Sequence, residues 1–422
     1  MVLDEPWAAL SGASGAALAC CFVAAAVALR WSSHRPARGA VARARQRQQA
    51  ALETMDKAAQ RFRLQEPSLN PKAILELPLE SLAQKLQDEE LSLESVLCSY
   101  LEEALKKLKK TERGLLYGVP ISLKDTYDCK GHDSTCGLAQ FLEKPAAKDG
   151  VIVKALKAQG AIPLVKTNIP QTLLSFYCSN PIYGRTLNPL NLKKTPGGSS
   201  GSEGVMLAQG GFILGMGSNI AGSIRIPASF CGVCGFRTTG YRLSYSGIAS
   251  AVKGKKSVTT VAGPMARDVE SLVLCMRALL SEDMHRLDPT VPFMPFREEV
   301  YSSNQPLRIG YCESDGFTQP TPSMARAMRL TSRLLQDAGH QVIPFSIPRV
   351  EYAVEHLFVG GLFADGGATL LEKIEGDIVD LCIKTMINTL RLPDPLKCFS
   401  AYILKYIDPR PSQKLKEIRG MG

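Results

Sequence analysis

Residues 7–29 carry no charged side chain, and residues 30–52 carry no aspartate or glutamate. The chain's net charge of +10 is therefore local rather than spread, because Arg30, Arg35, Arg38, Arg43, Arg45 and Arg47 all fall in that acid-free stretch. A basic flank behind an apolar run is a topology signal, so nucleic acid is not expected as a partner. At about 1.5 Å per residue, a helix over 7–29 exceeds the roughly 30 Å hydrocarbon core. Asp4 and Glu5 precede the run where a cleaved signal peptide would carry basic residues. An uncleaved transmembrane helix with the remainder of the chain cytoplasmic is expected.

Other absences narrow the chemistry. Only 5 histidines are present, and the 12 cysteines show no even-spaced disulfide framework. Cys231 and Cys234 form a C-x-x-C with no second pair at zinc spacing, so they are expected as core or turn residues and no metal is expected. Neither G-x-x-x-x-G-K-[ST] nor G-x-G-x-x-G occurs, which argues against a phosphate cradle. No internal repeat is visible. What is present is ordinary globular composition, 45% hydrophobic and 21% charged.

The pattern of residues divides the chain in three. After the anchor at 1–30 comes a basic and helical region, 31–113, with a solvated or interfacial helix expected over 40–65 and two amphipathic helices over 75–110. From 114 to 422 short β-like runs alternate with helices. Strands are expected at 117–124, 161–166, 306–312 and 341–345, with helices at 151–159 and from a Ser323 cap to Ala338, stopped by Gly339. That alternation predicts an α/β fold with a mixed or parallel sheet flanked by helices.

The densest chemical signal is the Gly- and Ser-rich stretch from Thr195 to Gly240. Gly197, Ser199 and Gly201 formally satisfy the G-x-S-x-G elbow of a His-dependent hydrolase. Such an enzyme needs a later histidine, and His285, His340 and His356 read better as surface or packed residues. A second reading uses no histidine. Lys124 ends an apolar strand, where burial would favour its neutral form and make it a general base for a serine.

The ordered motifs GVPISLKD, GGSSG and NIAGSIRIP resemble the amidase signature family, and DSTCGL, TNIPQ, CSNPIYGRTLNP, GPMARDVESL, PLRIGY and the anchor resemble its membrane-anchored fatty acid amide hydrolase branch. The resemblance covers essentially the whole chain. It implies Ser223 as nucleophile, Lys124 as base and acid, and Ser199 as the bridge, held by a cis peptide bond. It further implies an oxyanion hole from the N–H groups of Ile220, Ala221, Gly222 and Ser223, an acyl pocket lined by Leu173, no cofactor and a homodimer. The expected substrates are fatty acid ethanolamides and primary amides, with esters as a further class. The expected location is an endomembrane, endoplasmic reticulum or Golgi. Arg225 is expected to be a structural ion-pair partner. The stretch 396–407 is apolar but too short to span, and reads as a membrane-surface helix or an ordinary core helix.

Three features depart from the family pattern. Relatives carry an extra segment between Lys110 and Gly114 and continue beyond Gly422, so a truncated sheet with unburied apolar surface is expected. Ser218, Asn219 and Ala221 stand where the family shows Thr, Asp and Gly, and Ala221 would be strained if its φ were positive. The alternative function is a catalytically silent protein with a lipid-binding or dimerising role.

Overall fold

The computed structural model describes residues 37–50, five isolated positions between 53 and 88, and 114–419 apart from 408. The expected anchor at 7–29 and the two amphipathic helices at 75–110 lie outside the described residues, save those isolated positions. Among the described residues no helix is long and apolar enough to cross a membrane.

The sheet at the centre has five strands in the order β2-β1-β5-β7-β6. These are β1 (Pro120–Lys124), β2 (Ile162–Thr167), β5 (Leu214–Asn219), β6 (Cys234–Gly235) and β7 (Val261–Ala266). β1 runs parallel to both β2 and β5, whereas β7 is antiparallel to β5 and β6, so the sheet is mixed as expected. Every residue of β5 and β7 is buried. The helices Val151–Ala158 and Val269–Leu279 supply the matching apolar faces, among them Ile152, Leu156, Leu274 and Cys275. Strands buried on both faces read as continuous apolar runs, which is why 117–124 was legible without alternation. Tyr117 and Gly118 form a turn rather than strand. A small hairpin, β3 (Ser179–Asn180) and β4 (Gly184–Arg185), lies beside the sheet.

A second sheet pairs only β8 (Arg308–Tyr311) with β9 (Gln341–Pro344), in parallel, through the helix Pro322–Asp337. Its cap is Thr321 rather than Ser323. The Thr321 hydroxyl accepts from Met324 N at 3.4 Å, and Pro322 takes the first helical position, where a missing N–H costs nothing. Gly339 follows with φ +88°, the left-handed stop expected there.

The helix over 37–50 differs from the solvated helix expected. Ala37, Ala40, Val41 and Ala44 are buried against Ala139, Leu142 and Ile182. Arg43 pairs with Glu143, Arg47 with Asp133, and Arg45 donates to the Ile182 and Pro181 carbonyls. Small alanines at helical spacing let the backbone approach closely, a packing signal weaker than a leucine stripe. At least three of the six clustered arginines thus contact the body of the protein.

Candidate active site

β1 and β5 lie side by side and parallel, so their C-terminal ends open into one crevice, where α/β sheets bind ligands. Lys124 is the last residue of β1 and is completely buried. Its Nζ lies 2.6 Å from Ser199 Oγ, 3.0 Å from Ser218 Oγ and 3.2 Å from the Ser218 carbonyl. Burial pushes its pKa down to about 7, partly opposed by neighbouring Cys178 and Glu203. A lysine at that value is largely free base just above neutrality, as a general base requires.

Ser199 follows the cis Gly198–Ser199 peptide bond, two residues before the helix Gly201–Ala208. Gly197 has φ +80°, and a side chain there would meet Ile226 and Pro227. Ser223 sits in the turn between β5 and the helix Arg225–Cys231, with its carbonyl accepting from Ser200 N at 3.0 Å. Ser199, Ser218, Ile220, Ala221 and Ser223 all line one cavity of about 200 Å³. The structure therefore joins Lys124 to Ser199 and brings Ser223 to the same cavity. Ser223 Oγ makes no hydrogen bond of its own among the described residues, so the Ser199–Ser223 link is open in this conformation; such contacts often close only with substrate bound.

The N–H groups of Ile220, Ala221, Gly222 and Ser223 take no part in the backbone hydrogen bonds formed among the described residues. Unspent donors at the wall of a cavity can receive a developing oxyanion. Asn219 fixes this loop: its Oδ1 accepts from Ile224 N at 3.1 Å, while its buried Nδ2 has no partner. Ala221 is not among the residues with positive φ, so the expected strain is absent. Among the described residues Arg225 forms no ion pair; it donates to the Ala221 carbonyl at 2.5 Å, which braces the same loop.

The rest of the cavity is apolar. Leu173 and Leu174 face Phe358, Leu362, Phe363 and Met386 across it. Leu173 belongs to a short turn, Gln171–Leu173, and has φ +69°. No histidine lines this cavity. His285 pairs with the Val291 carbonyl, His340 with Leu307 N and His356 with Glu417, so the His-dependent elbow is not assembled. Cys231 and Cys234 are free thiols in a helix end and in β6. A larger cavity of about 610 Å³ opens beside β2, but its charged groups serve one another: Arg47 pairs with Asp133, and Lys166 donates to the Asp133 carbonyl and Ser134 Oγ. No serine is among the residues that line it.

Sequence reasoning missed three residues. Ser218, read only as a change from Thr, gives Lys124 two acceptors. Tyr127 donates to the Gly217 carbonyl at 2.6 Å and so fixes the end of β5. Glu203 is fully buried beside Lys124. An acid inside GGSSGSEG, where small residues crowd, was the available signal.

The amidase family profile matches residues 79–415. The chain is 55% identical to fatty-acid amide hydrolase 1 of Sus scrofa, over 99% of this chain and 76% of that protein. It is 50% identical to the vitamin D3 hydroxylase-associated protein of Gallus gallus, over 100% of this chain and 95% of that one. The comparisons do not support the expected truncation. A solved fatty acid amide hydrolase superposes with a TM-score of 0.66 at 27% identity, covering 86% of this chain and 75% of that one. Sequence, sheet and serine–lysine site agree: the chain belongs to the amidase family.

Proposed function

We propose that this protein is a membrane-associated serine hydrolase that cleaves the amide bond of fatty acid amides, including ethanolamides and primary amides, by a Ser-Ser-Lys relay. The observation that carries this reading is the buried Lys124 Nζ, 2.6 Å from Ser199 Oγ, in one crevice with Ser223 and an apolar cavity.

Neutral Lys124 accepts the Ser199 proton as Ser199 accepts that of Ser223, and Ser223 Oγ bonds to the substrate carbonyl carbon. The carbonyl oxygen takes the negative charge and is met by the N–H groups of the 220–223 loop. When the C–N bond breaks, the proton returns from Lys124 through Ser199 to the departing amine, leaving an acyl ester on Ser223. Water then repeats the sequence, releasing the fatty acid and restoring the serine. The apolar wall from Leu173 to Met386 suits an acyl chain, whose burial contributes about 0.8 kcal/mol per methylene.

A fluorophosphonate probe tests the reading. Labelling is expected to vanish in Ser223→Ala and to slow strongly in Lys124→Ala; well-folded wild-type protein that never labels would instead support the silent, lipid-binding alternative.

The helix Asp394–Leu404 and its continuation support a lipid surface as partner. Leu396, Phe399, Ile403, Tyr406 and Ile407 recur at helical spacing and are all exposed, while Lys397 and Ala401 face inward. The helix therefore packs one side on the core, through Ala401, and presents an apolar outer side. We place the protein as a homodimer on endoplasmic reticulum or Golgi membranes with its catalytic part cytoplasmic. Phe399→Glu with Ile403→Glu is expected to reduce vesicle binding, and protease protection of microsomes checks the orientation.

A further inference from the structure

Glu203 lies in the first turn of the helix Gly201–Ala208 and is completely buried, yet the relay as written does not use it. Its Oε2 accepts from Ser122 Oγ at 2.5 Å and its Oε1 from Thr167 Oγ1 at 2.7 Å. Both partners are tied to the lysine. Ser122 precedes Lys124 by two residues on the same face of β1, and Thr167 is the register partner of Lys124 on β2. The room comes from Gly215, the register partner of Ser122 on β5, since a Cβ there would lie 2.1 Å from Oε2. Three adjacent strands thus build a slot for one carboxylate beside one ammonium.

The two groups act on each other through space. Lys124 spends its hydrogen bonds on Ser199 and Ser218, and Glu203 spends its own on two hydroxyls. An isolated charge in such a place would be strongly disfavoured, whereas an opposite neighbour offsets part of that cost. Burial drives Glu203 up to about 7, the same value to which it drives Lys124 down. Asp125, Cys136 and Cys178 also face Lys124, and Tyr127 faces Glu203. Burial raises both thiols and the phenol, which keeps them neutral, and Asp125 is held by Thr135 N, Thr135 Oγ1 and Cys136 N.

We propose that Glu203 is a positioning residue of the relay: its buried carboxylate is the counter-charge that keeps Lys124 able to take up a proton as well as release one. A base that never holds a proton could not hand it to the leaving amine. This inference rests on the serine–lysine reading, and its failure is separable from failure of that reading.

The experiment is the pH dependence of fluorophosphonate labelling in the full chain. Glu203→Gln keeps the size and removes the charge; its amide oxygen can still accept from one hydroxyl, while its Nε2 donates to the other. Its acid limb is expected to move to lower pH by about one unit or more, with a slower plateau. Glu203→Asp keeps the charge and loosens its fit, so its plateau should fall with the limb in place. Superimposed limbs for wild type and Glu203→Gln, whatever the plateau, overturn the proposal, as does an equal displacement in Glu203→Asp. Should Glu203→Gln not fold, Ser122→Ala supplies the test: losing one donor weakens the anion, and a smaller displacement in the same direction is expected, none at all overturning it. Loss of all labelling in Ser223→Ala, with limbs unmoved in the Glu203 variants, would leave the serine–lysine reading standing and refute this one alone.

Discussion

Two of the parallel strand pairs among the described residues, β1–β5 and β8–β9, have unlike surroundings. β1 and β5 lie inside a five-stranded sheet with helices packed on it, and Leu123, Leu214 and Met216 are fully buried. β8 and β9 are paired alone, and of the helix between them only Ala325 is buried. Leu330, Leu334 and Phe345 stay 56%, 58% and 55% exposed. The first pair fixes a lysine, two serines and a glutamate; the second fixes nothing that bears on chemistry. The difference teaches that the candidate site's geometry depends on layers stacked over both faces of a sheet, where Lys124 and Glu203 are completely buried.

If that contrast is right, the largest effects come from the dense side. Lys124→Ala removes the proposed base and should lower kcat/KM by about 10²- to 10⁴-fold. Gly215→Ala puts a methyl into the Glu203 slot and should abolish activity in any protein that still folds, read by labelling of the soluble fraction. Leu123→Ala leaves a cavity in β1 and should cost about 2–5 kcal/mol in urea unfolding. The sign of the pH response follows from Lys124: burial lowers its pKa to about 7, so the neutral form that the proposed relay needs grows as pH rises through that value. The wild-type labelling rate should therefore fall on the acid side of about pH 7 and level off above it, and a limb near pH 10 would show the lysine to be solvated.

Much of the dense side was legible because its order was written in local patterns. An apolar run ending in Lys124, glycines around Ser199 and the turn at Ser223 each specify backbone that approaches something closely. What could not be read were partners supplied by register. Nothing local in the sequence says that Thr167 stands opposite Lys124, or that Gly215 makes room for Glu203, because those pairings exist only once three strands lie side by side. The helix at 37–50 was misread for a related reason, since alanine marks close packing only when its neighbour is known. On the β8–β9 side the strands and helix were legible from alternation and caps, and what covers them was not.

The smallest effect expected lies on that open side. Leu334→Gln and Phe345→Gln exchange exposed apolar groups for polar ones without creating a cavity, so each should change unfolding free energy by no more than about 0.5 kcal/mol and leave kcat/KM unaltered. Solubility should improve, because an exposed apolar face beside a two-stranded sheet invites association. A loss of several kcal/mol in either variant would mean that this face is covered in the folded protein. The two halves would then be built alike, and the burial that tunes Lys124 would no longer distinguish the side of the molecule on which the chemistry sits.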